Sequence, residues 1–336
     1  MKLYLLLILI LLAPGAFGQD GPIRIGEIEF YGATGINLDK VRAALPFHEG
    51  DTITEEMWPR TSEQAQQAIK QVIGHAPTEI TRTCCDDRAN LIIFIGLSGT
   101  PLRYLPAPKG SARLPSNAIN LYDQWWNNLV EGVRKGAGAE DESQGYALST
   151  AYPPLRAIQL RMRAYALRHD RLLRDVLAAS ADDHQRAMAA ELLGYARQSR
   201  SQITALVQAA RDPNRDVRNN ATRALIVLAA SNSKLARQIP AGVFIEMLLS
   251  GTWTDVNKAS ALLSNLTAGR NPALLAQLRR PSVLERLVEM ARWRTTHANA
   301  ARIILGRMAG IEETRLQQLA DAGKVEEIIA ALHSTQ

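Results

Sequence analysis

The chain has 336 residues, 46% hydrophobic but only 5% aromatic, and a formal net charge of +6. That is enough chain for one solenoid plus a small domain, with a core packed mainly by Leu, Ala, Ile and Val. Two cysteines and a few scattered histidines offer too few ligands for a metal site, and Gly-rich phosphate loops and zinc-hydrolase motifs are absent, so no cofactor is expected.

In chain order, Lys2, the apolar run Leu3 to Leu12, Pro14-Gly15 and Ala16-Phe17-Gly18 form the three regions of a secretory signal peptide, residues 1–18, with cleavage expected after Gly18. No later stretch is long and apolar enough to span a membrane, so the mature chain is expected to be exported to the periplasm or cell envelope. Ile23, Ile25, Ile28 and Phe30 then mark a half-buried strand broken at Tyr31-Gly32. A short helix is predicted over Leu38 to Leu45 and a longer one over Thr54 to Gly74. A hairpin follows, Thr78 to Cys84 and Asn90 to Leu97 around Asp86-Asp87-Arg88. Adjacent Cys84 and Cys85 leave open a vicinal bridge, free thiols or an intermolecular bond.

This β-α-α-β-β order over residues 22–98, with Ile28-Glu29-Phe30-Tyr31-Gly32 closing the first strand and Glu49-Gly50-Asp51 before the second helix, resembles a POTRA domain, the small module of outer-membrane assembly and secretion proteins. The resemblance implies work by protein contact, often by lending a sheet edge to another strand. Most members precede a membrane β-barrel or a cell-division segment, and neither follows in this sequence.

Residues 99–154 are a connector broken by Pro101, Pro106, Pro108, Pro115, a Gly136 to Gly145 stretch and Pro153-Pro154. Between the breaks a helix over residues 117–135 aligns Leu121, Trp125, Leu129 and Val133 on one face. It is expected to cap the raw end of the helical array that follows.

Residues 155–333 read as paired helices. Aligning Ala189, Ala221, Ala259 and Ala301 places Leu192/Leu193, Ala224/Leu225, Leu262/Leu263 and Ile304/Leu305 in one register. Each of these helices is preceded by another: Arg168 to Ala179, Gln202 to Ala210, Ala241 to Leu249 and Ser282 to Arg292. Within Asp212 to Ala230, Asp216 is expected to cap the second helix. Antiparallel pairs at this period form an α-solenoid. Asp216-Val217-Arg218 with Ala221 and Ala224-Leu225, and Arg186 with Ala189 and Leu192-Leu193-Gly194, resemble the HEAT repeat. Ala261-Leu262-Leu263-Ser264-Asn265-Leu266 and the extra helix at Asn271-Pro272-Ala273-Leu274-Leu275 look more like armadillo repeats. The last pair, Glu312 to Asp321 and Gly323 to Leu332, is acidic and would close the far end. Through Ser143-Gln144-Gly145-Tyr146, Val217-Arg218-Asn219-Asn220-Ala221 and Glu289-Met290-Ala291-Arg292-Trp293-Arg294, the whole chain resembles a group of exported bacterial HEAT-repeat proteins of uncharacterised function.

Residues 155–310 carry 24 basic and 11 acidic side chains, against 12 and 17 over residues 19–154. This surplus is consistent with solvated helix faces or with an acidic protein, anionic envelope polymer or lipid headgroup as partner; nucleic acid is not expected in an exported chain. Asn219, Asn257 and Asn299 recur in register, so their carboxamides could hold an extended peptide or tie one repeat to the next. Arg211, Arg215, Trp253, Arg292, Trp293 and Arg294 fall in turns that would line one edge. There, guanidinium and indole groups offer either stacking and anion contact or packing beneath their own turns. With Arg218 and Asn265 these form the candidate binding set. His169-Asp170 and Asp182-Asp183-His184 lack an accompanying nucleophile, so no catalytic residues are assigned. The expected function is a non-enzymatic cell-envelope scaffold or adaptor. An enzyme on a HEAT scaffold, a lyase or a nucleic-acid-acting protein, and a self-assembling envelope component are the alternatives.

Overall fold

The computed structural model describes residues 22–334, and the expected signal segment lies outside them. Over the described residues the protein is mainly helical, with a small N-terminal sheet. Two compact units form, and neither follows chain order. One comprises Leu102–Phe244 with Ala261–Leu266; the other comprises residues 22–101, Ile245–Ser260 and residues 267–334. The divisions expected at residues 98 and 154 do not coincide with these units, because the N-terminal sheet clusters with the C-terminal helices.

In that second unit the chain runs β1 (Ile23–Tyr31), α1 (Leu38–Ala44), β2 (Thr52–Ile53), α2 (Trp58–Ile73), β3 (Glu79–Cys84) and β4 (Leu91–Gly96). The sheet order is β2-β1-β4-β3, with β1 parallel to β4 and both outer pairs antiparallel. The two-residue β2 is additional to the order expected from sequence. Too short for any periodicity, it forms because Gly50 N donates to Ile25 O (2.8 Å) and Ile25 N to Asp51 O (2.8 Å), drawing the chain alongside β1. Asn37 caps α1 by accepting from Lys40 N. Of the options open at Cys84 and Cys85, the structure has the vicinal disulfide. Ile25, Ile28, Leu91, Ile93 and Ile95 form a core with Val41 of α1 and Ala65 and Ile69 of α2. Each fully buried isoleucine there contributes about 1.5–3 kcal/mol.

The first unit holds α3 (Ser116–Arg134), the short hairpin β5 (Glu140–Asp141) and β6 (Leu148–Ser149), then α4 (Pro153–Ala179), α5 (Asp183–Leu193), α6 (Arg200–Ala209), α7 (Arg215–Ser231) and α8 (Ser233–Ala236). Helices α9 (Ala241–Leu248) and α10 (Trp253–Leu266) each cross the boundary between units. The second unit ends with α11 (Pro272–Leu278), α12 (Pro281–Ala291), α13 (Asn299–Met308), α14 (Glu313–Asp321) and α15 (Val325–His333).

Helix α2 begins at Trp58, four residues after the expected Thr54, and one further start and one cap differ from expectation. Helix α4 begins at Pro153 rather than near Arg168, because Pro153-Pro154 occupy the first turn, where an amide lacks an intrahelical acceptor anyway. His169 (φ −121°, ψ 20°) is non-helical, a kink close to the expected start. Helix α7 is capped by Asn214, which accepts from Asp216 N and Val217 N, whereas Asp216 lies in the first turn.

The aligned alanines Ala189, Ala221, Ala259 and Ala301 are all fully buried, and the paired apolar positions three and four residues on are buried. Helix α5 packs against α4 and α7, α6 against α7, and α12 against α13. Small side chains at these crossings let backbones approach closely enough for side-chain to main-chain bonds between neighbours. Asn220 Nδ2 donates to Ala187 O (3.0 Å), tying α7 to α5, and Asn265 Nδ2 donates to Ile226 O (3.2 Å), tying the end of α10 to α7. Asn220→Ala removes this tie between the helices and is expected to cost about 1 kcal/mol, measured as a lower urea midpoint at unchanged slope.

Candidate functional site

In the second unit, the turn tryptophans lie inside rather than on an exposed edge. Trp253 is fully buried and stacks on Phe94 of β4, ring centroids 3.5 Å apart and 14° between planes. Trp293 meets Phe94 edge-on and its Nε1 donates to Phe30 O (2.8 Å). Polar groups on the sheet complete the junction. Trp253 N donates to Glu79 Oε2 (2.6 Å), and Glu289 accepts from Gly32 N (2.8 Å) and Ala33 N (2.7 Å). Gly32 can make that turn because its φ is +71° and a Cβ there would collide with the Ser98 carbonyl. Arg294 pairs with Glu49 and Glu29, and Arg292 makes a two-point bond to Glu326 (2.8 and 3.2 Å). The hydrogen bond from Arg294 holds the Glu49 carboxyl below its ordinary range, whereas burial pushes Glu29 and Glu289 up. These basic and aromatic residues are engaged within the chain.

His297 closes the aromatic cluster, edge-on to Phe94 and Trp253. Burial, with the neighbouring Lys258 charge, lowers its pKa from 6.5 to about 3. A group neutral when folded and protonated when unfolded loses stability as pH falls below the unfolded value, here from 6.5 down toward 3. Glu29 and Glu289 act in the opposite sense, so the contrast between wild type and His297→Phe isolates the histidine. Between pH 7 and pH 5 the wild type is expected to lose about 2 kcal/mol relative to the variant. Urea titrations of both proteins at the two pH values measure it.

The asparagines are also drawn inward. Asn257 is buried, and Asn299 Oδ1 accepts from Arg302 NH1 (3.2 Å). In the first unit Asn219 Nδ2 donates to Asn220 Oδ1 (3.0 Å), and Asn265 bonds to α7 as above. Arg218 is buried, its NH1 donating to Asp212 O (2.9 Å) and Pro213 O (3.0 Å). The carboxylate partnering Arg186 is Asp212, to whose two oxygens Arg186 Nε and NH2 donate at 2.7 and 2.9 Å. Asp216 instead lies 3.6 Å from Arg215 at the surface. Arg215 is exposed and Arg211 partly so. A cavity of about 10 Å³, lined by Tyr146, Glu191, Tyr195 and Arg223, has room for a single water.

The charge that stays at the surface lies elsewhere. The first unit holds 20 basic and 12 acidic side chains, whereas the described residues of the second hold 18 and 20. Within the first unit, residues 143–169 contain no Asp or Glu, and the outward side of α4 exposes Arg156, Arg161 and Arg168. Among them, Ala157, Leu160, Ala164 and Leu167 are exposed, the two leucines to 47% and 45%. No protein-family model and no curated protein matches the chain. Sequence reasoning passed over this face because it aligned the second helix of each pair and treated Pro153-Pro154 as a break. The acid-free run was the signal that could have found it.

Proposed function

We propose that the protein is a non-enzymatic cell-envelope adaptor that captures an acidic protein partner on the basic surface of a helical-repeat array. The observation that carries this reading is the charge separation: a surplus of eight positive charges in the first unit, against a deficit of two over the described residues of the second. In this reading the array is a HEAT- and armadillo-like solenoid. Its support is the register of the buried alanines and of Arg186 and Arg218, each of which bonds to a carbonyl of the turn before its own helix. The N-terminal sheet is a POTRA-like domain with β3 at one edge and the two-residue β2 at the other, and its docking role would use the longer β3 edge. Among the described residues no helix is long and apolar enough to cross a membrane.

The test is photocrosslinking in intact cells from positions on the first unit, followed by identification of the captured proteins and a fractionation assay for export. Acidic envelope proteins whose capture weakens with salt are the expected result. Retention in the cytoplasm with salt-dependent binding of duplex DNA would overturn the proposal.

A further inference from the structure

We infer that the outward face of α4 is one strand of a two-stranded coiled coil, completed by an acidic amphipathic helix of the partner. The inference rests on the adaptor reading and names where and how capture occurs. Ala157, Leu160, Ala164 and Leu167 are spaced three, four and three residues apart, which is the a-d-a-d alternation of a heptad. All four are exposed, while Gln159, Met162, Tyr165 and Ala166 on the opposite side are buried in the unit. The helix therefore has two apolar seams, and only the inner one is covered among the described residues.

The flanks specify the occupant. Positions e and g beside this seam are Arg156, Arg161, Arg163 and Arg168, without one acidic residue. Arg163 turns inward, donating to the carbonyls of Tyr195 and Ala196, and Arg161 donates to Gln124 Oε1 (2.9 Å). A second copy of this helix would set arginine against arginine, so the flanks disfavour self-pairing and select Glu or Asp at the partner's e and g positions. A lipid surface is a poorer match, because a helix lying in a bilayer interface needs a broad apolar face, commonly with aromatics, and this seam offers two leucines and two alanines. Alternation of alanine with leucine instead suits a helix lying close alongside. From Pro153 to Arg168 the seam is about 24 Å long, and the kink at His169 ends it.

The test uses the mature full-length protein and a labelled three-heptad synthetic peptide with Leu at a and d and Glu at e and g, whose own charges oppose self-pairing. A matched peptide carries Lys at e and g. By fluorescence anisotropy the Glu peptide binds and the Lys peptide does not. Joint Arg161→Glu and Arg168→Glu substitution weakens the Glu peptide roughly tenfold or more and transfers binding to the Lys peptide. Joint Leu160→Asn and Leu167→Asn substitution abolishes both, and melting curves of the variants match the wild type because the four side chains are at the surface. The inference is overturned by equal binding of the two peptides, or by indifference to the arginine reversal. Leucine-dependent capture by phosphatidylglycerol vesicles without peptide binding would also overturn it. Acidic proteins crosslinked elsewhere on the first unit, with no peptide binding, would sink this inference and leave the adaptor reading standing. Absence of any captured protein would remove the adaptor reading itself.

Discussion

Trp253→Ala is expected to destabilise the second unit by about 3–5 kcal/mol, the cost of emptying an indole-sized space in a packed interior. Trp253 has no exposed surface; it stacks on Phe94 and lies 5.6 Å, centroid to centroid, from Trp293 and 5.3 Å from His297. The sheet and the helices meet at this ring, so truncation removes area from both sides at once. Thermal melts followed by near-ultraviolet circular dichroism should show a transition lowered by roughly 10 °C, and Trp253→Phe should recover part of it. Trp293→Phe tests the polar side of the junction, because it keeps the ring contact and deletes the bond to Phe30 O, a loss of about 1 kcal/mol. A Trp253→Ala protein that melted like the wild type would show that the ring is not packing, and its burial would then have no energetic meaning.

The tryptophans also show where sequence reasoning stopped. Helical period and small buried residues located the paired helices, since those signals are local: Ala189, Ala221, Ala259 and Ala301 are each interior. The ring that stacks on Trp253, Phe94, comes from more than 150 residues away and leaves no trace in the tryptophan's own neighbourhood. A trace did exist on the other side of the contact. Leu91-Ile92-Ile93-Phe94-Ile95 is apolar without alternation, and every residue of β4 is buried. An unbroken apolar strand signals a sheet covered on both faces. Helices α1 and α2 cover one face, so a second cover was required, and large apolar residues in distant turns were the candidates for it. The charge count misled for a related reason. Arg186, Arg218, Arg286, Arg302 and Arg307 contribute to the basic surplus of the repeats yet are buried, bonded to carbonyls and carboxylates of the fold. Only the sorting of arginines into interior and surface exposes the face of α4.

Asp212→Ala tests one of the buried arginine contacts and is expected to cost about 3–5 kcal/mol, the usual effect of stripping one member from a buried ion pair. Both oxygens of Asp212 are used by Arg186, and Oδ1 also accepts from Asn214 N (2.8 Å), so one carboxylate fixes α5 and shapes the turn entering α7. Without it Arg186 keeps its bond to Ser180 O (2.9 Å) but stays buried without its hydrogen-bonded carboxylate. The pair itself adds little to stability, because both charges were desolvated to form it. Joint Arg186→Met and Asp212→Leu substitution should therefore recover most of the loss, although two polar groups have been removed. A double-mutant cycle by urea denaturation separates the cases: strong coupling identifies an uncompensated charge, whereas additive costs would show two independent packing defects. Coupling also bears on capture, because α5 backs α4. Asp212→Ala should weaken the acidic peptide only near its own unfolding transition, whereas reversal of Arg161 and Arg168 should weaken it at every temperature.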